Sequence, residues 1–220
     1  MELGKREIMA KRAAEELHHG DIVNLGIGIP TLVANFIPDN IRIVIHSENG
    51  FLGIGSSPIL GEEDPDLVNA GGFPVTLIPG GSYFDSLLSF SIVRGGHLDI
   101  TILGALEVSE EGDLANWIVP GKLVPGMGGG MDLAEKAKRT IVLTTHTDKK
   151  GKPKIVKKCS LPLTAQRCVD LIITDMAVLK VEKEGLILKE IAESSTVEEV
   201  IQATDARIIV SSDLKVIKGL

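Results

Sequence analysis

Residues 21–50 read DIVNLGIGIP-TLVANFIPDN-IRIVIHSENG. The apolar run 41–45 has the length and composition of a buried strand, and 21–25 looks like a short strand. Between them lie a glycine loop, Leu25-Gly26-Ile27-Gly28-Ile29-Pro30, a helical pattern over 31–37, and a Pro38-Asp39-Asn40 turn. Strand, loop, helix, strand is a βαβ unit, and such units imply a parallel sheet. In an open α/β sheet, ligands bind at the carboxyl ends of the strands. His46-Ser47-Glu48-Asn49-Gly50 follows the second strand directly, so Glu48 is expected where a catalytic carboxylate is useful. A carboxylate in a partly dry cleft can attack an acyl group and divide one hard step into two easier ones.

A second interpretation stays open at this point. Asn49-Gly50 is a strong turn dipeptide, and apolar residues resume at Phe51-Leu52, so a plain hairpin with an exposed turn glutamate fits the same residues. The glycine loop alone decides little. Its G-x-G-x-P spacing is neither the dinucleotide fingerprint nor a P-loop, and a tight strand-to-helix turn explains it.

Outward from this unit the alternation continues. A first helix with Ile8, Ala13, Ala14 and Leu17 on its apolar stripe is expected to stop at Gly20. Strands are expected at 75–78, ending at Pro79-Gly80-Gly81, and at 99–103, 140–145, 169–173 and 207–210. Helical patterns cover 85–93 and follow the loop Pro125-Gly126-Met127-Gly128-Gly129-Gly130. Hairpins are expected around Glu110-Glu111-Gly112-Asp113 and Glu184-Gly185, and Ser195 with Glu198 suggests a capping box. The expected class is α/β, an open, mainly parallel sheet flanked by helices, with a strand-rich C-terminal part, in one domain over 1–220.

Composition narrows the function. Hydrophobic residues make up 44% of the 220 and aromatic residues 3%, so the core rests on Ile, Leu and Val. A formal net charge of -7 argues against general nucleic-acid binding but leaves room for an anionic ligand on a local patch of amides. Cys159 and Cys168 have no metal or redox spacing, and the charged N-terminus does not read as a signal peptide. No apolar run approaches the roughly 20 residues of a membrane helix. A cytoplasmic protein without a metal site or membrane contact is expected.

Several separate segments then point one way: NLGIGIP at 24–30, HSENG at 46–50, SFSIVRGGH at 89–97, LANWIVPGK at 114–122, PGMGGGMDL at 125–133 and LPLT at 161–164. In this order, over almost the whole chain, they resemble the B (β) subunit of the family I 3-oxoacid CoA-transferases, whose active-site signature is SENG. The resemblance implies a CoA-transferase fold, related to that of sugar-phosphate isomerases, and a ping-pong reaction in which Glu48 becomes a glutamyl-CoA thioester. Coenzyme A is then a substrate, and no cofactor or metal is needed. Candidate oxyanion donors or CoA contacts are Asn24, Gly26 and Gly28 on the first loop and Gly128 and Gly129 on the later one; the resemblance sets the later loop at the thioester. Gly71-Gly72-Phe73-Pro74 does not continue into the glycine motif of the A-type subunit, which implies that a separate A (α) subunit completes the enzyme, in an expected A2B2 assembly.

The resemblance further implies an acyl-CoA and short-chain carboxylic acids as small-molecule partners. Gly72 stands where some succinyl-CoA-linked relatives carry Lys, which leans toward acetoacetate paired with acetate or butyrate; succinate or 3-oxoadipate remains the alternative. Lys149, Lys150, Lys152, Lys154, Lys157 and Lys158 form a basic stretch, more simply a solvated hairpin than a CoA phosphate contact. Arg94 and Lys122 are further candidate anion partners. His46 is expected to pack aside. Two other classes compete: an isomerase-like domain with Glu48 as general base, and a non-catalytic binding protein that only completes an oligomer.

Overall fold

One long sheet organises the chain. A computed structural model describes residues 3–121 and 126–220, so Lys122 and Pro125 lie outside the described residues. The large sheet contains β1 (Ile22–Leu25), β2 (Val44–Ser47), β3 (Phe51–Ile54), β4 (Leu77–Tyr83), β5 (Ile100–Leu103), β8 (Arg139–Leu143), β10 (Leu171–Ile173), β11 (Ala177–Glu182), β12 (Gly185–Ala192) and β13 (Ile208–Ile217). Its order is β13-β12-β11-β10-β8-β5-β1-β2-β3-β4. The centre, β10-β8-β5-β1-β2, is parallel throughout, as is β12 with β13; the remaining neighbours are antiparallel. The central runs ITIL and LII are buried along their whole length, as strands covered on both faces must be.

Both faces are covered. Helix α1 (Lys5–Ala14) and a 3-10 helix (Ile29–Phe36) lie over one face, where Met9, Ala10, Ala13 and Ala14 pack with Val23, Ile100, Ile102 and Ile141. Helices α2 (Ser86–Arg94) and α3 (Gly130–Lys136) bring Val93 and Leu133 together with Leu98 in a separate cluster. A second sheet of β6 (Glu107–Ser109), β7 (Leu114–Ala115) and β9 (Ile155–Val156) packs Val108, Leu114 and Ile155 against Val142, Ile172 and Leu179. Helix α4 (Val197–Gln202) adds Val200 to that cluster.

Several local expectations shift. The second strand begins at Val44 rather than at 41, because its partner begins at Ile22 and the register pairs Ile22 with Val44. The first helix stops at Ala14, before the buried Leu17 and well short of Gly20. The 31–37 pattern is a 3-10 helix starting at Ile29, with Pro30 in its first turn. Pro79-Gly80-Gly81 lies inside β4 rather than ending a strand; β4 is an edge strand, where a residue without N–H leaves no ladder bond unmade. The capping box is Thr196 with Glu199, one residue later than expected: Thr196 Oγ1 accepts from Glu199 N at 3.2 Å and Glu199 Oε2 from Thr196 N at 2.8 Å. β13 continues to Ile217, through the polar Ser211-Ser212-Asp213, where its register against β12 shifts.

Candidate active site

The hairpin and the turn that carries the candidate Glu48 are one object. β2 and β3 pair antiparallel, His46 with Leu52 and Ser47 with Phe51, so Glu48-Asn49-Gly50 forms the connection at the carboxyl end of a parallel strand. Gly50 N–H donates to the Ser47 carbonyl at 3.0 Å, closing the turn. Gly50 sits at φ 129°, and a side chain there would run into the Phe84 carbonyl. Only glycine takes this position without strain.

The polar residues of the turn hold the loop beside it. Ser47 Oγ donates to Asn49 Oδ1 and accepts from Ala70 N at 3.2 Å; Asn49 Nδ2 donates to the Val68 carbonyl at 2.7 Å. Asn69 Oδ1 accepts from Gly71 N at 2.9 Å and Phe73 N at 3.1 Å, fixing the loop's own bend. Phe73, 60% exposed, is thereby set at the edge of a cleft of about 1310 Å³.

Glu48 is half-buried in this cleft, and its carboxylate meets the start of α3. A methyl group placed on Gly129 would lie 2.6 Å from Glu48 Oε2 and 2.9 Å from Phe90 Cε1; one on Gly128 would lie 3.6 Å from Glu48 Oε1. Burial raises the Glu48 carboxyl above the ordinary glutamate range, and the Asp132 charge pushes it the same way, while the Gly129 N–H, donating to the carboxylate, partly offsets both. Such a group is a carboxylate with reduced hydration and a fixed amide on its oxygen, suited to nucleophilic attack on an acyl carbon.

Residues 6–203 match the family model described as Coenzyme A transferase. This chain belongs to the coenzyme A transferase family. It is 57% identical over 206 residues to the beta chain of a probable coenzyme A transferase of Bacillus subtilis, covering 94% of this chain and 95% of that one. It is 52% identical over 209 residues to the B-type chain of a probable succinyl-CoA:3-ketoacid coenzyme A transferase of the same organism (95% and 97%), and 48% identical over 214 residues to the beta chain of an acetate CoA-transferase of Escherichia coli (97% and 98%). Among solved structures, an acyl-CoA transferase from E. coli O157:H7 in a thioester complex with CoA superposes with a TM-score of 0.77 at 22% identity. That match covers 99% of this chain and 44% of the other, so this chain spans less than half of that longer one. At such identity the likeness speaks for the fold alone.

Within this CoA-transferase chain the candidate residues separate into two groups. Gly128 and Gly129 meet Glu48. Asn24 lies beneath it in β1, 4% exposed, and its Nδ2 donates to the His46 carbonyl at 3.3 Å. Gly26 donates its N–H to the Ile102 carbonyl at 2.8 Å, so that amide belongs to the sheet. Gly28 leads into the 3-10 helix, and its carbonyl accepts from Thr31 Oγ1 at 2.7 Å. His46 turns inward, its Nε2 3.0 Å from Ser89 Oγ, and burial pushes it down to about 4, so it is neutral at physiological pH.

Three of the charged candidates have structural partners. Lys152 reaches Glu107 at 3.1 Å, and Lys154 reaches Thr144 and Thr145. Arg94 is paired with Asp132. Asn116 Nδ2 donates to Gly104 O, and Trp117 Nε1 to Leu163 O. His146 is fully buried between Thr174 and Thr204. Among the described residues, no group of three or more His, Cys, Asp or Glu side chains could hold a metal. Sequence reasoning missed Phe90 behind Gly129 and Asp132 near Glu48, for which no position-specific signal exists. Both lie in family-like segments, yet their meeting joins residues about 40 apart.

Proposed function

We propose that this chain is the catalytic B (β) component of a heteromeric CoA-transferase that moves CoA between acetoacetate and a short-chain acid such as acetate or butyrate. The observation that carries this is the Glu48 carboxylate, half-buried in the cleft and in close contact with Gly129. Glu48 attacks the thioester carbonyl, forming a mixed anhydride and expelling the CoA thiolate. The thiolate then attacks the glutamyl carbonyl, releasing the first acid and leaving a glutamyl-CoA thioester. A second acid reverses both steps. The oxyanion of the second attack develops on a Glu48 oxygen beside Gly129, whose amide is the proposed donor for the exchange between anhydride and thioester.

The lining of the cleft supports this choice of acyl partner. Among the described residues, Glu48 is the sole ionised side chain there, beside the apolar Ile27, Phe73, Val75 and Met127. A monocarboxylic acid needs no second charge partner. A dicarboxylate would place its distal charge where the described residues offer no cation, which is costly. The 52% identical relative named for succinyl-CoA keeps that alternative in view. The relatives' names, each marking a B or beta chain, support an A-type partner, with A2B2 the expected assembly. No helix among the described residues is long and apolar enough to cross a membrane, in keeping with the proposed cytoplasmic location.

The test is peptide mass mapping of the chain with its A-type partner after incubation with acetoacetyl-CoA and trapping by borohydride or hydroxylamine. A modification at Glu48, absent in Glu48→Ala, is expected. Turnover with an unmodified Glu48 overturns the covalent route. Without turnover, the isomerase-like and non-catalytic alternatives return.

A further inference from the structure

Helix α2 touches the Glu48 neighbourhood at three levels. Ser89 meets His46, two residues before Glu48. One residue on, Phe90 backs Gly129. One turn further, Arg94 reaches α3: its Nε donates to Asp132 Oδ1 at 2.8 Å and a terminal NH2 to Oδ2 at 3.2 Å. The guanidinium carbon also lies 5.5 Å from the Phe90 ring centroid. The two-pronged pair fixes direction as well as distance, and Arg94 occupies the face of the ring that presses on Gly129 from its edge.

We propose that Arg94 and Asp132 are positioning residues for Glu48: their ion pair clamps α2 onto α3, seats Phe90 behind Gly129, and screens Glu48 from the Asp132 charge. Neither residue contacts the reacting atoms. Asp132 is the ionised neighbour that acts on Glu48, and Arg94 and Lys136 act in turn on Asp132. From β2 the titratable group is His46, which is neutral and turned toward Ser89 and Asn24. The 3-10 helix, residues 54–57, the 69–75 loop, residues 103–106 and residues 116–117 bring no ionisable side chain to the cleft among the described residues. Beyond burial and Gly129, the charge acting on Glu48 is therefore that of Asp132, which Arg94 pairs and Lys136 also faces.

This arrangement makes opposite predictions for the two partners. Removing Arg94 unmasks Asp132 and holds Glu48 protonated to higher pH; removing the Asp132 charge does the reverse. A role confined to packing gives no such opposition. The catalytic consequence rests on Glu48 as nucleophile; its ionisation does not.

The experiment is a carboxyl 13C NMR titration of the full-length chain carrying labelled glutamate, with the Glu48 resonance assigned by Glu48→Gln. The variants are Arg94→Ala, Arg94→Lys, Asp132→Asn and the Arg94→Ala/Asp132→Asn double. Arg94→Ala is expected to move the Glu48 midpoint up and Asp132→Asn down, each by roughly half a unit at low salt and less at high salt. The double variant should follow Asp132→Asn, and Arg94→Lys should stay near wild type. Equal or same-direction shifts in the two single variants overturn the proposal. The acid limb of kcat/KM, measured with the A-type partner, should move with the resonance. Opposed resonance shifts without a matching kinetic shift would support the masking and count against Glu48 as nucleophile.

Discussion

A methyl group on Gly129 would lie 2.6 Å from Glu48 Oε2 and 3.0 Å from its Cδ. Gly129 itself sits at φ -81° and ψ 2°, a conformation open to alanine. The demand for glycine there comes from contact with the carboxylate and with Phe90, not from the backbone.

Gly129→Ala therefore separates contact from conformation. The methyl displaces the carboxylate from its amide donor, and kcat is expected to fall by roughly 10²–10³, the scale of losing one oxyanion donor. The melting temperature should change little. Steady-state kinetics beside thermal unfolding check both halves, and an active Gly129→Ala enzyme would remove this amide from the mechanism.

The raised Glu48 carboxyl links activity to stability. Its folded value lies above its unfolded value, so between the two the native state holds more protons and stability falls as pH rises. At neutral pH the native chain carries a burial cost that Glu48→Gln lacks. That variant should lose turnover but melt higher at pH 7, by roughly 2 °C, with the gain fading below the ordinary glutamate range. Calorimetry from pH 4 to 8 tests the sign; a lower melting temperature at pH 7 would contradict it.

Asn49 is expected to act through the loop it holds. Asn49→Ala removes the donor to Val68 and the acceptor for Ser47, a loss of roughly 1 kcal/mol. The 68–73 loop, with Phe73, should loosen. Of the two proposed acids, butyrate, with the longer apolar chain, should lose more in kcat/KM than acetate. Hydrogen exchange at the Ala70 amide, bonded to Ser47 Oγ, should quicken. Unchanged exchange and unchanged acid preference would argue that the loop stands without this tie.

Much of the architecture was legible because it is local. β1, the turn region after it and β2 sit in consecutive residues, and mostly apolar, β-branched runs such as Ile100–Leu103 announce buried strands. Errors arose where tertiary pairing sets the limits. β2 starts where β1 does, β13 runs through a polar stretch because β12 supports it, and Pro79 is tolerated because, among the described residues, no strand pairs beyond β4. For the site, the meeting of Glu48 with the second glycine loop was anticipated through the family resemblance. Asn24 and Gly26 line the same cleft, and what the sequence did not reveal is that the Asn24 side chain also bonds the His46 carbonyl and the Gly26 N–H the Ile102 carbonyl. The Phe90–Arg94 spacing places both on one helix face, but nothing local indicated that Asp132 would meet them.

The length of the large sheet has a practical side. From β2 to β13 there are seven strand-to-strand steps, which at about 4.8 Å each amount to roughly 34 Å. β13 forms the opposite margin, with Val210 and Val216 facing outward. Labels, surface tethers or fused reporters attached there would sit far from the chemistry, offering a handle for immobilised or single-molecule work.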